Sequence, residues 1–141
     1  MTLLEIGKAS VEREGDRVAI LSFGSMLAPA LQAGEQVNAT VVNMRFVKPI
    51  DEELIRDVGM RHNLIITMEE QVVAGGGGSA VNEVLAKYGI LTRIINLGLP
   101  DEHLEHGVPK DVLADCGLDA ESVVDLIESC IEYDFKKRIS L

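Results

Sequence analysis

Two adjacent carboxylates and a run of glycines near the middle of the chain are its first candidates for chemistry. Glu69 and Glu70 follow the short apolar run Leu64-Ile65-Ile66-Thr67-Met68, and Gly75 to Gly78 with Ser79 come soon after. A glycine loop that opens a helix can lay its backbone against a phosphate, and Gly75-x-Gly77-x-x-Ala80 has the form of a dinucleotide fingerprint. The context argues against that reading. Glu69 to Ala74 separate the apolar run from the first glycine, the unit is not the first of its kind in the chain, and four adjacent glycines satisfy the pattern by composition. The loop is read instead as backbone that approaches something closely, another chain or domain as readily as a ligand.

Other reactive groups are scattered. Asp101-Glu102-His103-Leu104-Glu105-His106 resembles a metal cluster. Its histidines, however, are three apart in a loop and lack the spacing of a zinc helix or a distant third ligand. Ser79 is followed by Ala80-Val81, so there is no Gly-x-Ser-x-Gly elbow. His62 stands at a helix end, where it can meet the last carbonyls. Cys116 and Cys130, the two cysteines, have no motif spacing and suit a reducing compartment as buried small side chains. A cytoplasmic setting is therefore expected.

These residues must be positioned by alternating elements. Ala9 and Val11 alternate with Ser10 and Glu12, a half-exposed strand ending at the turn Glu14-Gly15-Asp16. Val18 to Phe23 is a continuous apolar run, as in a strand covered on both faces. A helix follows with Pro29 in its first turn and Leu27, Ala30, Leu31, Gly34 and Val37 on one face. Thr40 to Met44 is the next strand. Asp51 then caps a helix with Glu52 and Glu53 in its first turn, where the dipole favours them, and Leu54, Ile55 and Val58 on its buried side. After the strand ending at Met68, Ser79 is expected to cap a helix with a stripe of Val81, Val84, Leu85 and Tyr88 that stops at Gly89. Arg93 to Leu97 is a further strand. Pro109 is expected to start a short helix closed by Gly117, and Asp119 to cap a last one through Val123, Ile127, Ile131 and Phe135.

Strands alternating with helices through short loops predict an α/β fold: a three-layer, doubly wound, five-stranded sheet, mostly parallel. The first strand enters by a turn too short for a parallel crossover, so it is expected to be an antiparallel edge strand. Such sheets gather ligands and charged residues at the carboxyl ends of their strands. Arg45, Lys48, Glu69, Glu70 and Asp101 should meet on that rim. They could form an active site or a docking surface for another domain or chain. Docking is favoured, because no general base with an orienting partner stands out.

Composition narrows the partners. The 141 residues are 47% hydrophobic and 26% charged, and 13 Lys plus Arg against 23 Asp plus Glu give a formal charge of −10. A surface of that sign repels phosphate backbones, so no nucleic-acid partner is expected. No run approaches the roughly eighteen apolar residues of a membrane span, and no signal peptide is visible. The basic cluster Lys136-Lys137-Arg138 is read as a solvated tail.

Several stretches together resemble a known family: Ile6-Gly7-Lys8, Val18 to Gly24, Asn38 to Pro49 with Asp51-Glu52, Glu69-Glu70 through Gly75 to Asn82-Glu83, Asn96 to Asp101 with His106-Gly107, and Cys116 to Ala120. They are similar to the C-terminal domain of the 1-deoxy-D-xylulose-5-phosphate synthases, in the transketolase superfamily. The resemblance covers about Leu4 to Ile131, taken as one transketolase C-terminal-like domain (1–131), with 132–141 left as a tail. It implies a larger homodimeric enzyme that uses thiamine diphosphate and a divalent metal, magnesium, to decarboxylate pyruvate and join it to glyceraldehyde 3-phosphate. The family's cofactor, metal and catalytic residues lie in two preceding domains. This chain is therefore expected to be a third domain that binds neither cofactor nor metal, has no catalytic residue, and supports the fold and the dimer. The C-terminal domain of a transketolase or of a 2-oxo-acid dehydrogenase β chain is the alternative within the superfamily. A free-standing dinucleotide- or protein-binding module is the alternative outside it.

Overall fold

A computed structural model describes residues 5–70, 76–98 and 117–139. Among these residues the order is β1 (Ser10–Arg13), β2 (Val18–Ser22), α1 (Leu27–Val37), β3 (Thr40–Asn43), α2 (Glu52–Arg61), β4 (Leu64–Met68), α3 (Gly77–Lys87), β5 (Arg93–Leu97) and α4 (Ala120–Ile139). The five strands form one sheet in the order β1-β3-β2-β4-β5. β1 runs antiparallel to β3, and every other pairing is parallel. The expected sheet, with its antiparallel edge, is present.

The turn after β1 does more than reverse the chain. β1 and β2 are separated by β3, so the turn must step across the entry to that strand. It is stitched there: Asp16 N–H donates to Asn38 O at 2.8 Å, and Gly15 N–H donates to the Thr40 hydroxyl at 3.0 Å. Arg13 Nη1 adds a bond to Ala39 O at 2.9 Å. The buried His62 completes this corner, donating from Nδ1 to Val58 O at 2.8 Å and meeting Thr40 Oγ1 through Nε2 at 2.8 Å.

The central strands β2 and β4 are buried along their whole length, as continuous apolar runs require. Side chains alternate between two cores. Ile20, Val41 and Ile66 pack under α1 and α4 with Met26, Ala30, Val123 and Ile127. Leu21, Val42 and Ile65 pack under α2 and α3 with Phe23, Ile55, Val58, Val81 and Leu85. Asp51 caps α2 as expected, accepting from Leu54 N–H at 3.1 Å, and its second oxygen accepts from Ala9 N–H at 2.9 Å. Asp119 caps α4 through Ser122 N–H at 3.2 Å.

Two expectations need correction. Ser79 does not cap α3: the helix begins at Gly77 with Gly76 at the cap position. An acidic side chain just past the end of β4 supplies the acceptor there, so the hydroxyl is not needed for it. The stripe of α3 is buried at Val81, Val84 and Leu85, whereas Tyr88 is exposed beyond the helix end. The last helix, expected through Phe135, runs on to Ile139, and its residues include good helix formers and no glycine or proline. The expected helix from Pro109, along with Cys116, lies outside the described residues.

Candidate functional site

The carboxyl end of β4 is where the candidate residues concentrate, and strand geometry explains how. β4 lies between β2 and β5. Alternation points Ile65, Thr67 and then Glu69 toward the α3 side of the sheet. Glu69 remains held at its backbone, with N–H donating to Leu97 O at 3.1 Å. Its side chain ends below the first turn of α3. Oε1 accepts from Gly77 N–H at 2.9 Å and Oε2 from Gly78 N–H at 2.6 Å. The carboxylate thus satisfies two of the helix's unpaired donors and meets the positive end of its dipole.

The glycines follow from this contact. A Cβ at Gly77 would stand 2.6 Å from the Phe23 ring. A Cβ at Gly78 would stand 2.8 Å from Thr67 Oγ1 and 3.0 Å from Glu69 Oε2. The close approach expected of the loop is real, and at these two positions it is made to this chain's own side chains. Asn96 Nδ2 donates to Thr67 Oγ1 at 2.8 Å, and Asn82 Nδ2 donates to Asn96 Oδ1 at 2.8 Å. α3, β5 and β4 are thereby tied side chain to side chain. Burial pushes the Glu69 carboxyl above the ordinary carboxylate range, and the two N–H donors pull partly against that.

Glu69 is therefore no surface residue. It is 1% exposed, with both oxygens used inside the domain, and its place among the docking candidates is corrected to that of an internal brace. Glu70 points elsewhere, accepting a hydrogen bond from the Ser25 hydroxyl in the turn Gly24–Met26 that precedes α1. Consecutive glutamates on one strand end thus grip the starts of two helices on opposite faces of the sheet.

Arg45 and Lys48, in the β3–α2 loop, are exposed and make no ion pair among the described residues. Arg45 has φ of 60°, with its N–H donating to Asn43 Oδ1 at 3.2 Å. Left-handed backbone in a non-glycine residue costs roughly 1–2 kcal/mol. Lys48 lines a groove of about 500 Å3 between this loop and α3, with Val47, Glu52, Ala80, Glu83 and Lys87. Asp101, His103 and His106 lie outside the described residues. Among those described, no group of three or more His, Cys, Asp or Glu could hold a metal ion. Thr67, Asn82 and Asn96 escaped the reading of the sequence. Their signal was faint: Thr67 and Asn96 interrupt two apolar strands at positions that pair in register.

This fold and strand end define a domain of the transketolase type. The model of the transketolase C-terminal domain family matches residues 7–123, and the chain belongs to that family. It is 45% identical over 141 residues to a 1-deoxy-D-xylulose-5-phosphate synthase of Nitrosomonas eutropha, covering 100% of this chain and 22% of the relative. To the synthase of Ectopseudomonas mendocina it is 54% identical over 123 residues, 87% of this chain and 20% of the relative. Among solved structures, a split-gene transketolase described as an inactive β4 tetramer aligns with a TM-score of 0.79 at 34% identity, over 89% of this chain and 43% of that one. The chain thus spans about a fifth of the length of these synthases.

Proposed function

We propose that this chain is the third domain of a 1-deoxy-D-xylulose-5-phosphate synthase, a transferase that joins pyruvate to glyceraldehyde 3-phosphate with loss of CO2. The observation that carries the reading is the 45% identity sustained over the whole chain against a fifth of a much longer synthase. The identities to synthases exceed the 34% to the split transketolase, which favours the synthase over the transketolase alternative. The domain works in the cytoplasm as a docking and dimer-supporting part, next to preceding domains of the same polypeptide, and Cys130 as a free thiol suits that compartment.

Thiamine diphosphate and magnesium belong in this reading to the preceding domains. The residues described here do not fit them. A diphosphate would look for the amino end of α3, and there Gly77 and Gly78 already donate to the Glu69 carboxylate. Arg45, Lys48 and Glu70 are the described residues left for contacts with another domain or chain, because Glu69 is spent internally. Arg45 carries the strongest sign, an exposed cation held in left-handed backbone without an ion pair among the described residues.

The test is to place this chain in the Nitrosomonas synthase in exchange for its matched segment and follow pyruvate-dependent product formation. Turnover should persist. Arg45→Ala with Lys48→Ala should then lower turnover or dimerisation, with the melting temperature of the isolated domain unchanged. A folded chimera without turnover, or one indifferent to both substitutions, would remove the docking reading. Calorimetric titration of the isolated chain with thiamine diphosphate or a nicotinamide dinucleotide should give no binding, and a micromolar constant for either would reverse the assignment.

A further inference from the structure

The opposite, amino-terminal end of the sheet carries a surface that the proposed function does not use. α4 packs on the sheet through Val123, Val124, Ile127 and Cys130, all buried. Its apolar stripe does not stop there. Ile127, Ile131, Phe135 and Ile139 recur every four residues, near enough to the helical period to stay on one side. Exposure along them climbs from 0% at Ile127 to 36%, 63% and 66%. The helix overhangs the domain with this side uncovered. Beneath it lies a concavity of about 510 Å3 lined by Val18, Leu64, Ile131 and Phe135, with Arg17 and Arg138 also in its wall.

Charge identifies the occupant. Upstream of Phe135 every charged residue of α4 is acidic (Glu121, Asp125, Glu128, Glu132, Asp134), and downstream every one is basic (Lys136, Lys137, Arg138). We propose that the overhang is a self-association surface on which two copies pair α4 antiparallel, Phe135 meeting its equivalent at a two-fold axis. Ile131 of each copy then faces Ile139 of the other. Antiparallel pairing sets Lys136 and Arg138 of each helix against Asp134 and Glu132 of the other, whereas parallel pairing sets like against like. A uniformly acidic or basic partner would complement only half of the seam. The in-chain pairs Lys136–Glu132 and Arg93–Asp134 are exposed, so they can be shared across it at little cost. The seam is made of two short overhangs, so the association is expected to be reversible and concentration-dependent.

Sedimentation velocity of the 141-residue chain over a concentration series should show monomers giving way to dimers. Phe135→Asp should abolish the dimer and leave the circular dichroism spectrum unchanged. Reversing the basic charges of the seam (Lys136→Glu, Arg138→Glu) should give a monomer, as should reversing Glu132 and Asp134 to Lys, while an equimolar mixture of the two variants should form a heterodimer. With Cys116→Ser and Cys130→Ala in the background, Phe135→Cys should oxidise to a self-linked dimer, and Ile139→Cys should link to Ile131→Cys but not to itself. A chain that stays monomeric at every concentration, or a dimer that survives Phe135→Asp, overturns the proposal. Self-linking of Ile139→Cys overturns the antiparallel order. Shielding of Phe135→Cys from alkylation only in a longer chain carrying preceding domains would assign the overhang to those domains instead.

Discussion

The two ends of the sheet spend their side chains in opposite ways. At the carboxyl end, one charge is turned inward: Glu69 is buried and fastens α3, while its half-buried neighbour Glu70 meets the approach to α1. At the amino end, apolar surface is turned outward, and Ile131, Phe135 and Ile139 stand in water on a helix that has outrun its core. A charged residue on a strand end is therefore poor evidence of a partner until its hydrogen bonds have been followed. A buried carboxylate needs partners for its own sake, because an unpaired charge in the interior costs far more than an exposed one. An uncovered apolar stripe has no such internal account.

The contrast is tested most severely between the neighbouring glutamates. Glu69→Ala leaves two buried N–H groups without an acceptor and should cost about 3 kcal/mol. For a chain of this size that lowers the melting temperature by roughly 10 °C. Glu70→Ala removes one bond from a half-buried side chain and should cost under about 1 kcal/mol. Equal losses in thermal denaturation would mean that the brace and the surface residue are not distinct.

Gly78→Ala comes next, and here the sign is informative. Helix propensity alone favours the substitution by about 1 kcal/mol. The new Cβ, however, would sit 2.8 Å from Thr67 Oγ1 and 2.9 Å from Asn96 Nδ2. Crowding of that kind costs roughly 1–3 kcal/mol, so a net loss of about 1 kcal/mol is expected. A stabilised variant would show that the brace can yield, and that the glycines serve something other than close packing. Asp51→Ala should cost a similar or slightly smaller amount, about 1 kcal/mol for a lost cap. Because Asp51 also holds Ala9 N–H, protection of that amide from hydrogen exchange should fall with it.

How much of this was legible follows from the range of the interactions. Strand and helix positions are written in periodicity, so β2, β4 and the buried sides of α2 and α3 could be read directly, as could the Asp51 cap three residues from its donor. Glu69 meets donors eight and nine residues away, across a loop whose path no local pattern describes. Ser79 was the better cap by local rules, and a carboxylate arriving from the sheet displaced it. The turn after β1 was legible as a reversal but not as a step across β3, since that depends on which strand enters between. Asn96 and Thr67 come together only through the β4–β5 register. Arg45 and Lys48 were legible as charges at the strand end, and both stand exposed there.

The smallest effect separates the buried brace from exposed carboxylates by the pH at which each acts. Burial raises the Glu69 carboxyl, so in the pH window just above the ordinary glutamate range the folded chain holds a proton that the unfolded chain has released. Its contribution is fully present below the unfolded value and is lost as pH rises through the folded one. Glu52 and Glu132 behave in reverse. The Tyr88 hydroxyl and Lys87 lower the first, Lys136 lowers the second, and their contributions are lost only as pH falls through those lowered values. Stability should therefore decline slightly with rising pH above the ordinary range, and decline with falling pH below it. Glu69→Gln should flatten the upper slope and leave the lower one, even though the amide destabilises the chain at every pH by placing an N–H group against one of the backbone donors. Melting temperatures measured across both windows check this. An upper slope that survives Glu69→Gln would mean that another buried group titrates there, and that the brace holds its two amides as a fully ionised carboxylate throughout.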